Sequence, residues 1–194
     1  MPALRLAQDP DADALLSRDP LALLIGMLLD QQFPMERAFY GPYLLASRLS
    51  VDGLDAAALA GEDPDRLTAI FTGPPAIHRY PGSMARRTQE LCRVVVDRYD
   101  GDVTRLWAEA EDGRAVLKRL NELPGFGAQK AQIFLALLGK QLGVTAPGWR
   151  EAAGDYGREG STRSVADVVD ADSLQAVRAY KQERRKAAKA AAPA

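Results

Sequence analysis

The chain has 194 residues, of which 47% are hydrophobic, and a formal net charge of −1. This length fits one domain or two small lobes with a packed core, and the charge balance argues against a sequence-blind nucleic-acid coat, whose binding depends on neutralising many phosphates. The single cysteine, Cys92, and the single histidine, His78, exclude a disulfide framework and a four-ligand zinc or iron–sulfur site within one chain.

The N-terminal segment MPALRLAQDPDADALL carries aspartates where a secretory signal would be basic and then apolar. Elsewhere in the chain, no run of apolar residues reaches the length of a membrane span. The protein is therefore expected to be cytoplasmic.

Leucine, alanine and arginine recur with helical spacing along nearly the whole chain, and no segment alternates apolar and polar residues as a strand would. The sequence therefore predicts an all-α fold. Asp19 and Pro20 are typical of a helix start, and LALLIGMLLDQQ after them is apolar nearly all round, which predicts a buried central helix. Further helices are predicted over 35–49, 54–61, 64–73, 84–101 with Ser83 as its N-cap, 113–123, 128–140 and 165–186, with a glycine-rich loop over 145–164.

The segment LPGFG, residues 123–127, joins two of these helices. Gly125 and Gly127 permit positive φ and a close approach of the backbone to a ligand. The amides of residues 125–128 can then turn toward a phosphate at the start of the next helix, where Lys130 can add a charge-assisted contact. The alternative is an ordinary turn between two helices, in which the glycines serve only the turn.

Three segments together resemble the helix-hairpin-helix DNA glycosylase superfamily, which is named for that motif, a Gly/Pro-rich loop and an aspartate. LPGFGAQKAQIFL is similar to its hairpin, and DPLALLIGMLLDQQF is similar to the early helix of endonuclease III and 3-methyladenine DNA glycosylase II. YPGSMARRTQELCRVVVDRYDGDV is similar to the helix that precedes the hairpin. The resemblance covers about residues 19–144, and residues 1–194 are expected to form a single domain.

The resemblance implies a fold of two α-helical lobes with a cleft between them, completed here by the N-terminal segment and by helices within 164–190. It also implies that the protein, which is expected to be a monomer, binds double-stranded DNA, rotates a damaged or mispaired base out of the duplex and excises it by N-glycosidic hydrolysis. Gln32, with Gln31 beside it, would fill the hole left in the duplex, or else would bond to loop backbone at the helix end. The DNA contacts implied for the hairpin are Gly125, Phe126, Gly127, Ala128, Gln129 and Lys130.

The sequence departs from the family at the catalytic positions. Where members that also cut the strand have a lysine, this chain has Gln129, and Lys130 follows one residue later, which turns its side chain by about 100° on a helix. No lyase activity through a lysine imine is therefore expected. The shared aspartate is expected eighteen residues after that register, where this chain has Pro147, which cannot stabilise positive charge or activate water.

Two acids after Pro147 are candidates for a displaced catalytic carboxylate. Glu151 is preferred because Trp149 beside it could form the wall of a base pocket, and Asp155 is the second candidate. One alternative is that Trp149 is buried and anchors a loop, with Arg150 and Glu151 as a surface ion pair. For the whole protein, the alternatives are a protein that binds damaged or branched DNA without catalysis and an all-α protein-interaction domain in which the hairpin is coincidental. No iron–sulfur or other cofactor is expected, so any chemistry would be metal-free or would use an ion bound by carboxylates.

The C-terminal end and one loop leave further alternatives open. The basic end is either a solvated helix terminus or a tail that follows DNA. His78, in a loop rich in proline and glycine, is either incidental or an acid/base residue beside the cleft. The basic residues of the C-terminal end, opposed only by Glu183, are Arg178, Lys181, Arg184, Arg185, Lys186 and Lys189.

Overall fold

The computed structural model describes residues 3–191, and every regular element within them is helical. The predicted all-α class is therefore confirmed. Two 3₁₀ turns, Gly154–Gly157 and Val165–Asp167, lie between the last two α-helices. The α-helices found in residues 3–191 are, in chain order, α1 (Pro10–Arg18), α2 (Pro20–Leu29), α3 (Met35–Leu49), α4 (Ala56–Gly61), α5 (Pro64–Thr72), α6 (Pro81–Tyr99), α7 (Arg105–Ala108), α8 (Gly113–Asn121), α9 (Ala128–Gln141), α10 (Trp149–Ala152) and α11 (Ala171–Ala191).

An aspartate followed by a proline starts α1, α2 and α5, as expected for an N-cap before a residue without an amide hydrogen. In α2, one carboxylate oxygen of Asp19 accepts the Leu21 amide at 2.9 Å, and the other accepts the Leu54 amide at 2.7 Å. The helix that follows is buried from Leu21 to Leu29, as predicted. Among residues 3–191, no helix combines the length and the apolar character that crossing a membrane requires.

The helices pack in two sets. In the first set, α2 packs with α1 and α3, and α6 packs with α4 and α5. In the second set, α9 packs with α8, α10 and both 3₁₀ turns, and α11 packs on the second 3₁₀ turn. The two sets meet where the turn between α8 and α9 reaches the end of α2, because a Cβ placed on Gly125 would lie 2.4 Å from Leu28 Cδ1.

Three boundaries differ from the sequence predictions. α6 begins at Pro81, not after Ser83, because a proline at the first helical position loses no hydrogen bond there. The predicted loop over 145–164 contains α10 and the first 3₁₀ turn. The predicted helix over 165–186 is interrupted after Val165–Asp167, and α11 starts anew where the Asp170 carboxylate accepts the Ser173 amide at 2.8 Å.

Candidate nucleic-acid interface

The two glycines of the α8–α9 turn, residues 122–127, have different roles. Gly125 has φ +80°, and an added Cβ would collide with Leu28, so both its backbone and its packing require glycine. Gly127 has φ −94°, which any residue adopts, and an added Cβ would meet no atom of residues 3–191 within 4 Å. Gly125 therefore serves the fold, whereas the space beside Gly127 is open to a ligand.

The amino end of α9 lies at this open space. Gly127 is the N-cap residue, and no side chain of the described part of the chain caps the helix. Gly127, Ala128 and Gln129 are all exposed. The first amides of a helix have no partner within the helix, and together with the helix dipole they favour an anion.

Two residues predicted to contact DNA are engaged inside the protein instead. The Phe126 side chain is buried and packs edge to face on Phe134, with 6.1 Å between ring centroids. Lys130 Nζ donates a hydrogen bond to the Leu28 carbonyl oxygen at 2.8 Å, at the carboxyl end of α2, where free carbonyl groups attract a cation. The predicted contacts are corrected: Phe126 can offer DNA only its backbone, and Lys130 ties the α8–α9 turn to α2.

Burial lowers the pKa of Lys130 to about 8. The negative charge of Asp30 opposes this shift in pKa, and the positive charge of Arg87 adds to it. Asp30 is the C-cap residue of α2 and lies a hundred residues before Lys130, so no sequence motif linked the two. The fold thus brings a carboxylate into the electrostatic environment of Lys130 that the sequence analysis did not single out.

The segment that follows α2 is held by the loop around His78. The buried His78 ring accepts the Tyr80 amide at Nδ1 over 3.1 Å, so Nε2 carries the proton and donates to the Gln31 carbonyl oxygen over 3.2 Å. Arg79 donates to the Gln32 carbonyl oxygen at 3.4 Å. His78 is therefore neither incidental nor an acid/base residue open to solvent, because both ring nitrogens are used to fix the backbone.

The hydrogen bonds from His78 and Arg79 hold the backbone of both glutamines, but the two side chains point to different places. Gln31 Nε2 lies 4.0 Å from Met84 Sδ, so this side chain packs toward α6. Gln32 is exposed and has φ +50°, a left-handed conformation that is uncommon for a residue with a Cβ. Gln32, and not Gln31, is therefore the glutamine whose side chain is exposed just after α2.

The stability of the fold is expected to depend on pH through His78. Burial is the main cause that lowers the pKa of His78, and the charges of Lys130 and Arg79 lower it further against the effect of its hydrogen bonds. The unfolded histidine has a pKa of about 6.5, so below that pH the unfolded chain takes up a proton that the folded chain does not. The free energy of unfolding should therefore be fully retained above about pH 6.5 and fall below it, by at most about 1.4 kcal/mol per pH unit.

Urea unfolding of the parent and of His78→Asn between pH 5 and 8 measures this dependence. The difference between the two curves isolates His78 from other groups, including Asp13, whose pKa is raised by burial and whose contribution has the opposite sign. The free energy of unfolding of His78→Asn is expected to depend less on pH than that of the parent. Parallel curves would show that His78 does not remain neutral in the folded protein.

Trp149 fills a slot between α8 and α9 and does not line an open pocket. Its side chain is 7% exposed. A Cβ on Gly139 would lie 2.4 Å from the Trp149 ring, and one on Gly113 would lie 2.4 Å from Trp149 Cα. Because Gly139 is twelve residues beyond Gly127, the ring lies roughly 18 Å along α9 from the turn. The predicted base pocket at Trp149 is therefore corrected to a packing role.

Glu151 and Pro147 lie at the same distant end as Trp149. The Pro147 carbonyl oxygen accepts the Gly113 amide at 2.8 Å, at the start of α8, and Glu151 is exposed on the short helix that Trp149 begins. Glu151 is thus placed beside Trp149 and does not line the groove that contains Gln129. Even an aspartate at position 147 would lie far from the turn in this fold.

Asp155, the second candidate acid, lies in a groove of about 450 Å³ beside the first turns of α9. Gly154 and the rest of the first 3₁₀ turn pack on α9, which brings Asp155 next to Gln129 and Gln132. One carboxylate oxygen of Asp155 forms an ion pair with Arg158 at 2.9 Å, and the other accepts a hydrogen bond from Arg163 at 2.7 Å. Of the two candidate acids, only Asp155 lines this groove, and Glu151 lines a neighbouring groove that also includes Asp155.

The far wall of this α9–α11 groove is formed by α11. Tyr156 and Tyr180 both line the groove, and Gln129 Nε2 donates to the Tyr156 hydroxyl at 2.8 Å. The remaining lining side chains are mostly basic: Arg163, Lys181, Arg184 and Arg185. The sequence analysis did not connect these residues with the hairpin, because only the return of the chain after α10 brings them together.

A comparison with protein-family models finds no match to the chain, and a comparison with curated proteins finds no similar sequence. Among residues 3–191, no three His, Cys, Asp or Glu side chains lie together as the ligands of a metal ion would. Function is therefore inferred from the geometry of the α8–α9 turn and of the groove beside it.

Proposed function

We propose that the protein binds double-stranded DNA through the α8–α9 turn, as a member of the helix-hairpin-helix glycosylase superfamily that it resembles. The observation that carries this proposal is Gly127. Neither its backbone angle nor its packing requires a glycine, whereas a phosphate oxygen that reaches the uncapped amides of α9 requires that no side chain stand in its path.

The arrangement of the helices supports the same proposal. The two sets of packed helices would be the two lobes of the glycosylase fold within one domain of residues 1–194, and the junction of the turn with α2 would be one edge of the cleft. Rotating a base out of a duplex costs a few kcal/mol and leaves a gap. Gln32, exposed at the end of α2 beside this junction, is the residue we assign to that gap.

We propose base excision by N-glycosidic hydrolysis as the reaction, with Asp155 as the carboxylate that balances positive charge on the sugar. Its place in the groove beside Gln129 supports this role, because charge that develops on the sugar must be balanced close to the bound strand. No strand cleavage through a lysine imine is proposed. Gln129 stands at the position where strand-cutting members have a lysine, and its side chain donates a hydrogen bond to the Tyr156 hydroxyl. Lys130, one residue later, donates a hydrogen bond to the Leu28 carbonyl oxygen.

A second function, recognition of damaged or branched DNA without catalysis, is favoured by one observation. Both oxygens of Asp155 are engaged by guanidinium groups of Arg158 and Arg163. A carboxylate held in this way can anchor the groove wall without taking part in a reaction. A screen of the purified protein against duplexes with different damaged or mispaired bases distinguishes the two functions.

Replacing Gly127 with valine is expected to weaken DNA binding by about 10-fold to 100-fold, because the loss of hydrogen bonds to one charged phosphate costs roughly 1.5–3 kcal/mol. The fold should survive, since the added side chain enters open space. Fluorescence anisotropy with a duplex that contains an abasic-site analogue measures the affinity, and circular dichroism checks the fold.

Gly61→Val is the matched control for this variant. Gly61 also lies at a helix end, and an added Cβ there meets no described atom within 4 Å. Its helix, α4, packs with α6 in the first set of helices, whereas the turn belongs to the second set, so the replacement should leave the affinity unchanged. A folded Gly127→Val variant that binds DNA as tightly as the parent would contradict the proposed function.

A further inference from the structure

We infer that α11 forms a second contact with the DNA backbone, through Lys181, Arg184 and Arg185. The inference rests on the DNA binding proposed for the α8–α9 turn and extends it to a separate element of the chain. These three side chains would bind phosphate groups of the same DNA strand, next to the phosphate that binds at Gly127.

The three basic residues continue the packed face of α11. Leu174 and Val177 are 4% and 0% exposed, respectively, and lie in the part of the helix that packs on the second 3₁₀ turn. At 100° per residue, positions 181, 184 and 185 fall within about 50° of the mean direction of those two residues. The face that is apolar where α11 is packed thus becomes basic where it passes the groove, and all three side chains line the groove.

The position of α11 is fixed from both sides. Arg178, one turn before the groove residues, forms an ion pair with Glu36 at the start of α3 in the first set of helices. On the other side, the Arg163 guanidinium lies 5.6 Å from the centre of the Tyr180 ring. The turn of α11 just before the basic residues is therefore tied to its neighbours on both sides.

The groove has an excess of positive charge. Lys181, Arg184 and Arg185 form no ion pair with any acid among residues 3–191. The one carboxylate that lines the groove, Asp155, is already engaged by Arg158 and Arg163. The three cations are thus available to an anion that comes from outside this part of the chain.

The groove is continuous with the proposed phosphate site at the turn. Gln129, two residues after Gly127, lines the groove, and Tyr156 and Tyr180 place aromatic rings among its basic groups. Basic grooves with interspersed aromatic rings are suited to following a nucleic-acid strand. A DNA strand carries one phosphate about every 3.4 Å of helix axis, so a strand held at Gly127 brings further phosphates toward α11.

The salt dependence of DNA binding tests this inference with two variants of the full chain. Both variants remove three positive charges, so their net charges are equal. The groove variant carries Lys181→Ala, Arg184→Ala and Arg185→Ala. The control variant replaces three exposed cations that lie outside α11 and do not line the groove, and it carries Arg5→Ala, Arg93→Ala and Arg114→Ala.

The plot of log affinity against log salt concentration should become shallower by about 2.7 in the groove variant, since each phosphate contact contributes about 0.9 to the slope. Between 50 and 200 mM salt, the parent should therefore lose about 40-fold more affinity than the groove variant. The control variant should keep the slope of the parent to within about one unit. A duplex with an abasic-site analogue serves as the probe, and circular dichroism shows whether helix content is retained.

The outcomes separate this inference from the proposed function. If the groove variant keeps the parent slope while Gly127→Val loses affinity, α11 does not contact DNA and binding through the turn stands. If the parent shows no salt-dependent affinity for DNA, both proposals fail. If the groove variant loses binding to phosphatidylserine vesicles or to a polyglutamate peptide but not to DNA, the groove serves another partner and the inference is overturned.

Discussion

Replacing Asp155 with asparagine is expected to slow base release by about 10²-fold to 10⁴-fold, the range typical of a carboxylate that acts directly in a reaction. DNA affinity should not fall and should rise slightly, because the substitution removes a negative charge from a groove that is otherwise basic. The ion pairs with Arg158 and Arg163 are half-exposed, so their loss should cost the fold only about 0–1 kcal/mol each. Single-turnover release of the base from the best duplex of the damage screen measures the effect.

Glu151→Gln provides the matched control. Glu151 is an exposed acid only four residues before Asp155 and lines a neighbouring groove with it, but it does not line the groove that contains Gln129. Its replacement should leave base release and DNA binding unchanged. Full activity in Asp155→Asn, or loss of activity in Glu151→Gln, would contradict the assignment of Asp155. A parent that binds damaged duplexes but releases no base from any of them would support the non-catalytic function.

Replacing Trp149 with alanine is expected to lower the free energy of unfolding by about 3–5 kcal/mol, as is typical when a large buried aromatic side chain is removed. The Trp149 side chain fills the slot beside Gly139, and its backbone packs on Gly113. Urea unfolding measures the loss. The variant Trp107→Ala should cost less, because that ring is only partly buried against the core.

A double-mutant cycle with Gly139 makes this prediction sharper. Gly139→Ala places a Cβ 2.4 Å from the Trp149 ring and should be destabilising in the parent. In the Trp149→Ala background the same change enters the vacated space, so its cost should largely disappear. Trp149→Phe, if folded, should bind damaged DNA as the parent does. Additive effects of the two substitutions on stability would contradict the contact between Gly139 and the Trp149 ring. A loss of DNA affinity in Trp149→Phe would instead support the base pocket at Trp149.

Local sequence signals were sufficient for most of the helices. Asp19 and Pro20 predicted the start of α2, and its continuous apolar run predicted burial, because capping and side-chain burial act within one or two turns. The glycine turn before α9 was also readable, since Gly125 must adopt a positive φ. The interruption before α11 could not be predicted, because the helical spacing of apolar residues continues across Val165–Asp167.

The candidate site could be predicted only in part. The sequence directed attention to the turn and to the acids after Pro147, but it favoured Glu151 over Asp155. Distance along the chain could not rank the two acids, because the segment after α9 first packs Trp149 at Gly139 and then returns toward Gln129. A preference based on the neighbouring Trp149 therefore selected Glu151, which does not line the groove that contains Gln129.

The helical character of the chain and the glycine turn before α9 follow from the amino-acid sequence, because these properties depend on backbone and capping preferences of neighbouring residues. Which glycine is free for a ligand, and where Lys130 is bound, became clear only from the packing of the helices. Both outcomes depend on Leu28, about a hundred residues earlier in the chain, whose side chain closes the space at Gly125 and whose carbonyl oxygen binds the ammonium group. Contacts between residues so far apart arise from packing of whole helices, and no local pattern in a single sequence encodes them.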